Sequence, residues 1–165
     1  MDDYKTNACR FQALLDERKI NYDCKDIGGA MRYSIGLSGF GGLLDRVTFL
    51  LFVDDQDAQC YAILPISAKD RLPQMAEFVL RANYGMKYGA FELGYPKGEL
   101  RLHVTYPASV IEAHADKVFD CLFGVPAVLI KSYGKGFVDV MEGKMTPEEA
   151  IAVCKQGMNA TAPRQ

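Results

Sequence analysis

Apolar positions along the chain change period several times, and each change marks an element. From residue 3 to 18, Tyr4, Ala8, Phe11, Leu14 and Leu15 recur at helical spacing, which predicts an amphipathic helix. After Asn21 the period becomes two. Tyr22 and Cys24 alternate with Asp23 and Lys25, Gly28-Gly29 supplies a turn, and Met31, Tyr33, Ile35 and Leu37 line one face of a second strand. A Gly-rich link, Gly36 to Gly42, leads to strands over 46–53 and 59–66, joined by the turn Asp54-Asp55-Gln56-Asp57. These two strands differ from the others. Val47, Phe49, Leu51 and Val53 fill one face of the first, yet Leu50 and Phe52 make its other face apolar. In the second, Cys60, Ala62 and Leu64 stand opposite Tyr61 and Ile63. Apolar side chains on both faces predict a sheet covered on both sides.

A helix is expected over 70–83, with Leu72, Met75, Ala76, Val79 and Leu80 as its stripe, Asp70 or Ser67 as cap and Pro73 in the first turn. A hairpin follows. Phe91, Leu93 and Tyr95 alternate on one strand, Pro96-Lys97-Gly98 turns the chain, and Leu100, Leu102, Val104 and Tyr106 alternate with Glu99, Arg101, His103 and Thr105. Ser109-x-x-Glu112 reads as a capping box for a helix to about Phe123, which Gly124-Val125-Pro126 breaks or kinks. Helical spacing resumes over 126–142 through Leu129, Tyr133, Phe137, Val140 and Met141, although Gly134 and Gly136 weaken it. Gly143 stops that helix, Thr146-Pro147-Glu148-Glu149 starts the last one, and Gly157 closes it. The expected organisation is one domain over 1–157 and a flexible tail over 158–165. Strands grouped together without β-α-β alternation predict an α+β fold, an antiparallel sheet with helices packed mainly on one face.

Composition narrows the partners. The 165 residues carry 19 Lys and Arg against 21 Asp and Glu, a net charge of −2, and 49% are hydrophobic. No basic excess favours nucleic acid or an anionic membrane surface. The first residues lack the pattern of a signal peptide, and five widely spaced cysteines without Cys-x-x-Cys resemble neither a disulfide framework nor a zinc site. A cytoplasmic protein is expected.

Each candidate for chemistry has a plainer explanation. Gly36-Leu37-Ser38-Gly39-Phe40-Gly41-Gly42 is glycine-rich enough to approach a phosphate, but it opens onto a strand and lacks the Gly-Lys-Ser/Thr ending. It is expected to be a flexible inter-strand loop, able to make contacts through exposed Phe40 and Leu43. The acidic turn 54–57 lacks the central Gly and later Glu of a calcium loop. His103 falls on the polar side of its strand. His114 and Cys121, seven residues apart on a helix, would sit roughly 10 Å apart, too far for a nucleophile and its base. Glu148 and Glu149 are first-turn acids. Tyr84, Tyr88, Phe91 and Tyr95 beside Arg81 and Lys87 suggest a base-stacking platform, but without a basic stripe they are assigned to core and hairpin packing. No catalytic residue, metal site or cofactor is predicted, and the protein is not expected to be an enzyme.

The segment from Asn83 to Tyr106 resembles the signature hairpin of the YbjN-like family, which shares the fold of type III secretion chaperones. An Asn closes the preceding helix, a Gly-x-Phe entry follows, and a Gly turn leads into an alternating strand; Asn83, Gly89, Phe91 and Gly98 match. The strand pair before the helix and the segment Gly143-Lys144-Met145-Thr146-Pro147-Glu148-Glu149-Ala150 are similar as well. The resemblance implies a domain that acts by binding, often as a dimer, in a chaperone-like or regulatory role. With the two-faced apolar strands, it predicts a non-enzymatic protein-binding module whose partner is a protein client or a second copy. Phe40, Leu43, Leu50, Phe52, Tyr61 and Ile63 are the candidate contact residues. If helices cover one side of the sheet, the other needs a second subunit, a client segment or the late helices. The alternative is a small-molecule or nucleotide sensor using the loop 36–42.

Overall fold

The computed structural model describes residues 4–161. Its order is α1 (Tyr4–Glu17), β1 (Asp23–Asp26), β2 (Ala30–Ser38), β3 (Arg46–Asp54), β4 (Asp57–Ser67), α2 (Leu72–Asn83), β5 (Ala90–Gly94), β6 (Glu99–Pro107), α3 (Ala108–Met141) and α4 (Pro147–Thr161). The strands form one antiparallel sheet in the order β1-β2-β3-β4-β6-β5. The fold is α+β.

Strand alternation decides which residues enter the core. Tyr33, Ile35, Val47, Phe49, Leu51, Val53, Cys60, Ala62 and Leu102 point to one face and are almost fully buried. They meet Phe11 and Leu15 of α1, Phe78 of α2 and Phe119 and Phe137 of α3 in a single cluster. Helix α3 packs on β4, β6, α1 and α2, while α4 packs on α2 and α3. Leu50, Phe52, Tyr61 and Ile63 point the other way, lie outside this cluster and are half-buried. The late helices therefore add to the layer that already covers the core face. The sheet is covered on one side within the chain, not on both.

The β5–β6 hairpin and the end of α2 are fixed by specific contacts. The Asn83 amide bonds both main-chain groups of Phe91: Nδ2 donates to the Phe91 carbonyl, and Oδ1 accepts from the Phe91 N–H, each at 2.8 Å. Strand β5 is thereby tied to the end of α2. Gly89, at φ +73°, leaves no room for a side chain, since a Cβ there would lie 2.8 Å from the His103 carbonyl oxygen.

Several local expectations are corrected. In α2 the buried stripe is Met75, Phe78, Val79 and Ala82; Leu80 is 73% exposed. Asp70 does not cap this helix, and Ser67 instead accepts from the Lys69 N–H in a short 3-10 turn at Lys69–Arg71. Ser109 does not form a capping box, because β6 runs straight into α3 at Pro107 and the Ala108 N–H is taken by the Gln56 carbonyl at 2.8 Å. The helix continues through Pro126, and the backbone departs from helical geometry at His114 instead. Helix α4 passes Gly157 and reaches Thr161, so 158–161 are helical rather than tail. Residues 162–165 of the expected tail lie outside the described residues.

Candidate binding surfaces

Antiparallel register assembles the open face of the sheet. Leu50 pairs with Tyr61, Tyr61 with His103, Thr48 with Ile63, and Ile63 with Arg101. Four of the six expected contact residues, Leu50, Phe52, Tyr61 and Ile63, thus share the middle of one surface. Arg32 and Ser34 of β2, paired with Phe52 and Leu50, border them on one side. Gln59, Thr105, Arg101 and Glu92 complete the surround. An apolar centre with a polar rim is the anatomy of a protein interface.

The centre is held in place by its own contacts. Tyr61 meets Phe52 edge-on at 5.9 Å and stacks on the His103 ring at 4.4 Å and 16°. The Arg101 guanidinium lies 4.3 Å from the Tyr61 ring centroid, and Arg101 Nε donates to Glu92 Oε2 at 2.5 Å. The Tyr61 hydroxyl donates to Gln59 Oε1 at 2.7 Å, and Gln59 donates in turn to Asp57. His103 sits on the polar side, as its strand parity predicts, but it is packed rather than free in solvent. Its Nδ1 lies 3.3 Å from Glu92 Oε1, and its Nε2 is buried without a hydrogen-bond partner. These restraints reduce the side-chain entropy that a partner would otherwise have to remove on docking.

The other two expected contact residues lie elsewhere. Phe40 is half-buried and stacks on core Phe49 at 6.4 Å, so it belongs to the helix side of the sheet. Leu43 is 54% exposed in a 3-10 turn at Gly42–Leu44. The Gly-rich segment is more ordered than a free loop: Gly36 is part of β2, and the Gly39 N–H donates to the Asp45 carbonyl at 3.0 Å with the Asp45 carboxylate at 3.4 Å. A carboxylate on that amide and a three-residue turn give a phosphate no cradle.

The helix layer carries a second surface, at residues that the sequence reading assigned to packing. Tyr84 and Tyr88, assigned above to packing, are 85% and 62% exposed, and Tyr95 is exposed as well; of that group only Phe91 is core. The segment between α2 and β5 borders a groove of about 630 Å³ against α3 and α4, lined by Met86, Cys121, Val125, Leu129 and Met158 among others. Tyr84 and Tyr88 directly after a helix were the available signal; periodicity identifies apolar positions but not whether anything faces them.

Among the described residues no group of three or more His, Cys, Asp and Glu is placed to hold a metal ion, and no helix is long and apolar enough to cross a membrane. No protein-family model matches the chain, and no curated protein matches it.

Proposed function

We propose that the protein is a non-catalytic binding module of the YbjN-like kind, in a chaperone-like or regulatory role, acting as a homodimer through the open face of its sheet. The observation that carries this is the half-buried set Leu50, Phe52, Tyr61 and Ile63, facing away from every helix and ringed by polar groups. Six strands about 4.8 Å apart, with central strands about 30 Å long, present about 700 Å². A standard interface takes about 800 Å² from each partner, so the face is of the right size. Tyr61 at its centre and Arg101 beside it in the surround are of the residue types that dominate binding energy at such surfaces. The sheet edges suit pairing less well: β1 and β5 are only four and five residues long, and β1 carries Asp23, Lys25 and Asp26.

Sedimentation equilibrium tests this directly. The wild-type chain is expected to be a dimer, and Leu50→Glu, which buries a charge in the contact while sparing the core, a monomer with an unchanged melting temperature. A wild-type chain that stays monomeric at its highest soluble concentration would sink the reading.

A further inference from the structure

We propose that the groove between the α2–β5 segment, α3 and α4 is a binding site for a free single-chain anionic amphiphile, a long-chain carboxylate in chemical class. The proposal does not rest on the function proposed above, since it concerns the opposite layer of the molecule. Three observations meet here. The first is shape. At about 630 Å³ the groove falls within the range of roughly 300–1,000 Å³ typical of small-molecule sites. The second is the lining. Val125 and Leu129 of α3, Met86 of the α2–β5 segment and Met158 of α4 make an apolar bed from three elements, and methionines adapt to a flexible alkyl chain. Tyr84, Tyr88 and Val128 stand exposed along it, and Val128 is 64% exposed, an apolar concentration that solvent disfavours.

The third is charge. Lys87 and Lys155 line the groove from two different elements, and neither is ion-paired with a described residue. Asp120, the acidic side chain of the lining, is neutralised by its ion pair with Arg18. The charges of the lining therefore sum to a net positive value beside an apolar bed, which favours a ligand that is apolar along its length and negative at one end. A second hollow, sharing Tyr84 and Lys155 and bordered by Leu80 and Ile151, adjoins it.

The test is calorimetric titration of the whole chain with dodecanoate below its micelle concentration, beside dodecanol and dodecyltrimethylammonium. One saturable site per chain is expected for dodecanoate, with the trimethylammonium compound at least tenfold weaker. Val128→Glu, at an exposed position, should weaken dodecanoate at least tenfold without lowering the melting temperature; Tyr84→Glu is the second variant should that one fail to fold. Lys87→Glu with Lys155→Glu should weaken dodecanoate and leave dodecanol unchanged. Absence of a saturable site, unsaturable uptake of several molecules, or indifference to both groove variants would overturn the proposal. So would co-sedimentation with anionic phosphatidylglycerol vesicles that the groove variants abolish, because the occupant would then be a membrane surface.

Discussion

Gly124 and Gly136 both interrupt the sequence of α3, yet their surroundings are opposite. A Cβ at Gly124 would meet nothing within 4 Å, whereas one at Gly136 would lie 2.6 Å from Phe78 Cζ and 2.8 Å from Cys154 Sγ. Alanine gains about 1 kcal/mol over glycine in a helix interior, and this is the whole effect expected at Gly124. At Gly136 the neighbouring Phe78 is fully buried and cannot retreat, so an overpacking cost of about 1–3 kcal/mol opposes that gain. Urea denaturation should show Gly124→Ala stabilising by roughly 0.5–1 kcal/mol and Gly136→Ala destabilising. The glycines that weaken the helical pattern in sequence are thus of two kinds, and only the neighbours tell them apart. The same holds for Leu80, Tyr84 and Tyr88. Their apolar character is legible in sequence, but their exposure depends on how far α4 extends over α2, which no local pattern encodes.

At the scale of elements, one motif had two outcomes. Ser109-x-x-Glu112 and Thr146-x-x-Glu149 have the same spacing, but only the second forms a capping box. The Glu149 N–H donates to Thr146 Oγ1 at 3.3 Å, and Glu149 Oε2 accepts from the Thr146 N–H at 2.9 Å. Thr146 follows a turn and is free to take a cap conformation, while Ser109 is already inside a helix that continues directly from β6. Thr146→Ala is expected to cost about 1 kcal/mol. The hydrogen bonds from the Thr146 main chain and hydroxyl hold the Glu149 carboxyl below its ordinary value of 4.5. A lowered folded-state value means that this stabilisation is complete above pH 4.5 and disappears as pH falls through the folded value. Melting temperatures of wild type and Glu149→Gln should therefore differ at neutral pH and converge in acid; a constant difference would show that the carboxylate is not the source.

For the whole molecule, the central strands are shielded on the helix side and only there. Cys60 lies on the buried face of β4, where burial pushes its thiol up to about 12, while Cys9 of α1 and Cys24 of β1 are exposed. Iodoacetamide should label Cys9 and Cys24 in the native protein and reach Cys60 only when the fold opens globally. Mass spectrometry across a urea series would read this, with Cys60 labelling tracking the unfolding transition. Fast native labelling of Cys60 would mean that the helix layer detaches on its own. The same one-sided architecture leaves Leu50, Phe52, Tyr61 and Ile63 half-buried and outside the core cluster. Introducing a charge there should change association and leave the core intact.

The sequence by itself determined the strands, their turns, the α+β class and the two-faced apolar character of β3 and β4, because period-two alternation and turn glycines are local properties of the chain. Asn83 and Gly89 stood out only through a resemblance, and their work, a bidentate clamp and a close backbone approach, was not legible in the chain. Only the tertiary structure decided which face of the sheet the late helices cover. It also placed Phe40 on the core side, apart from the four residues with which its sequence character groups it, and it opened a groove beside Tyr84 and Tyr88. These outcomes depend on helix packing between residues far apart in the chain, where apolar pattern fixes that a surface must be buried but not by what.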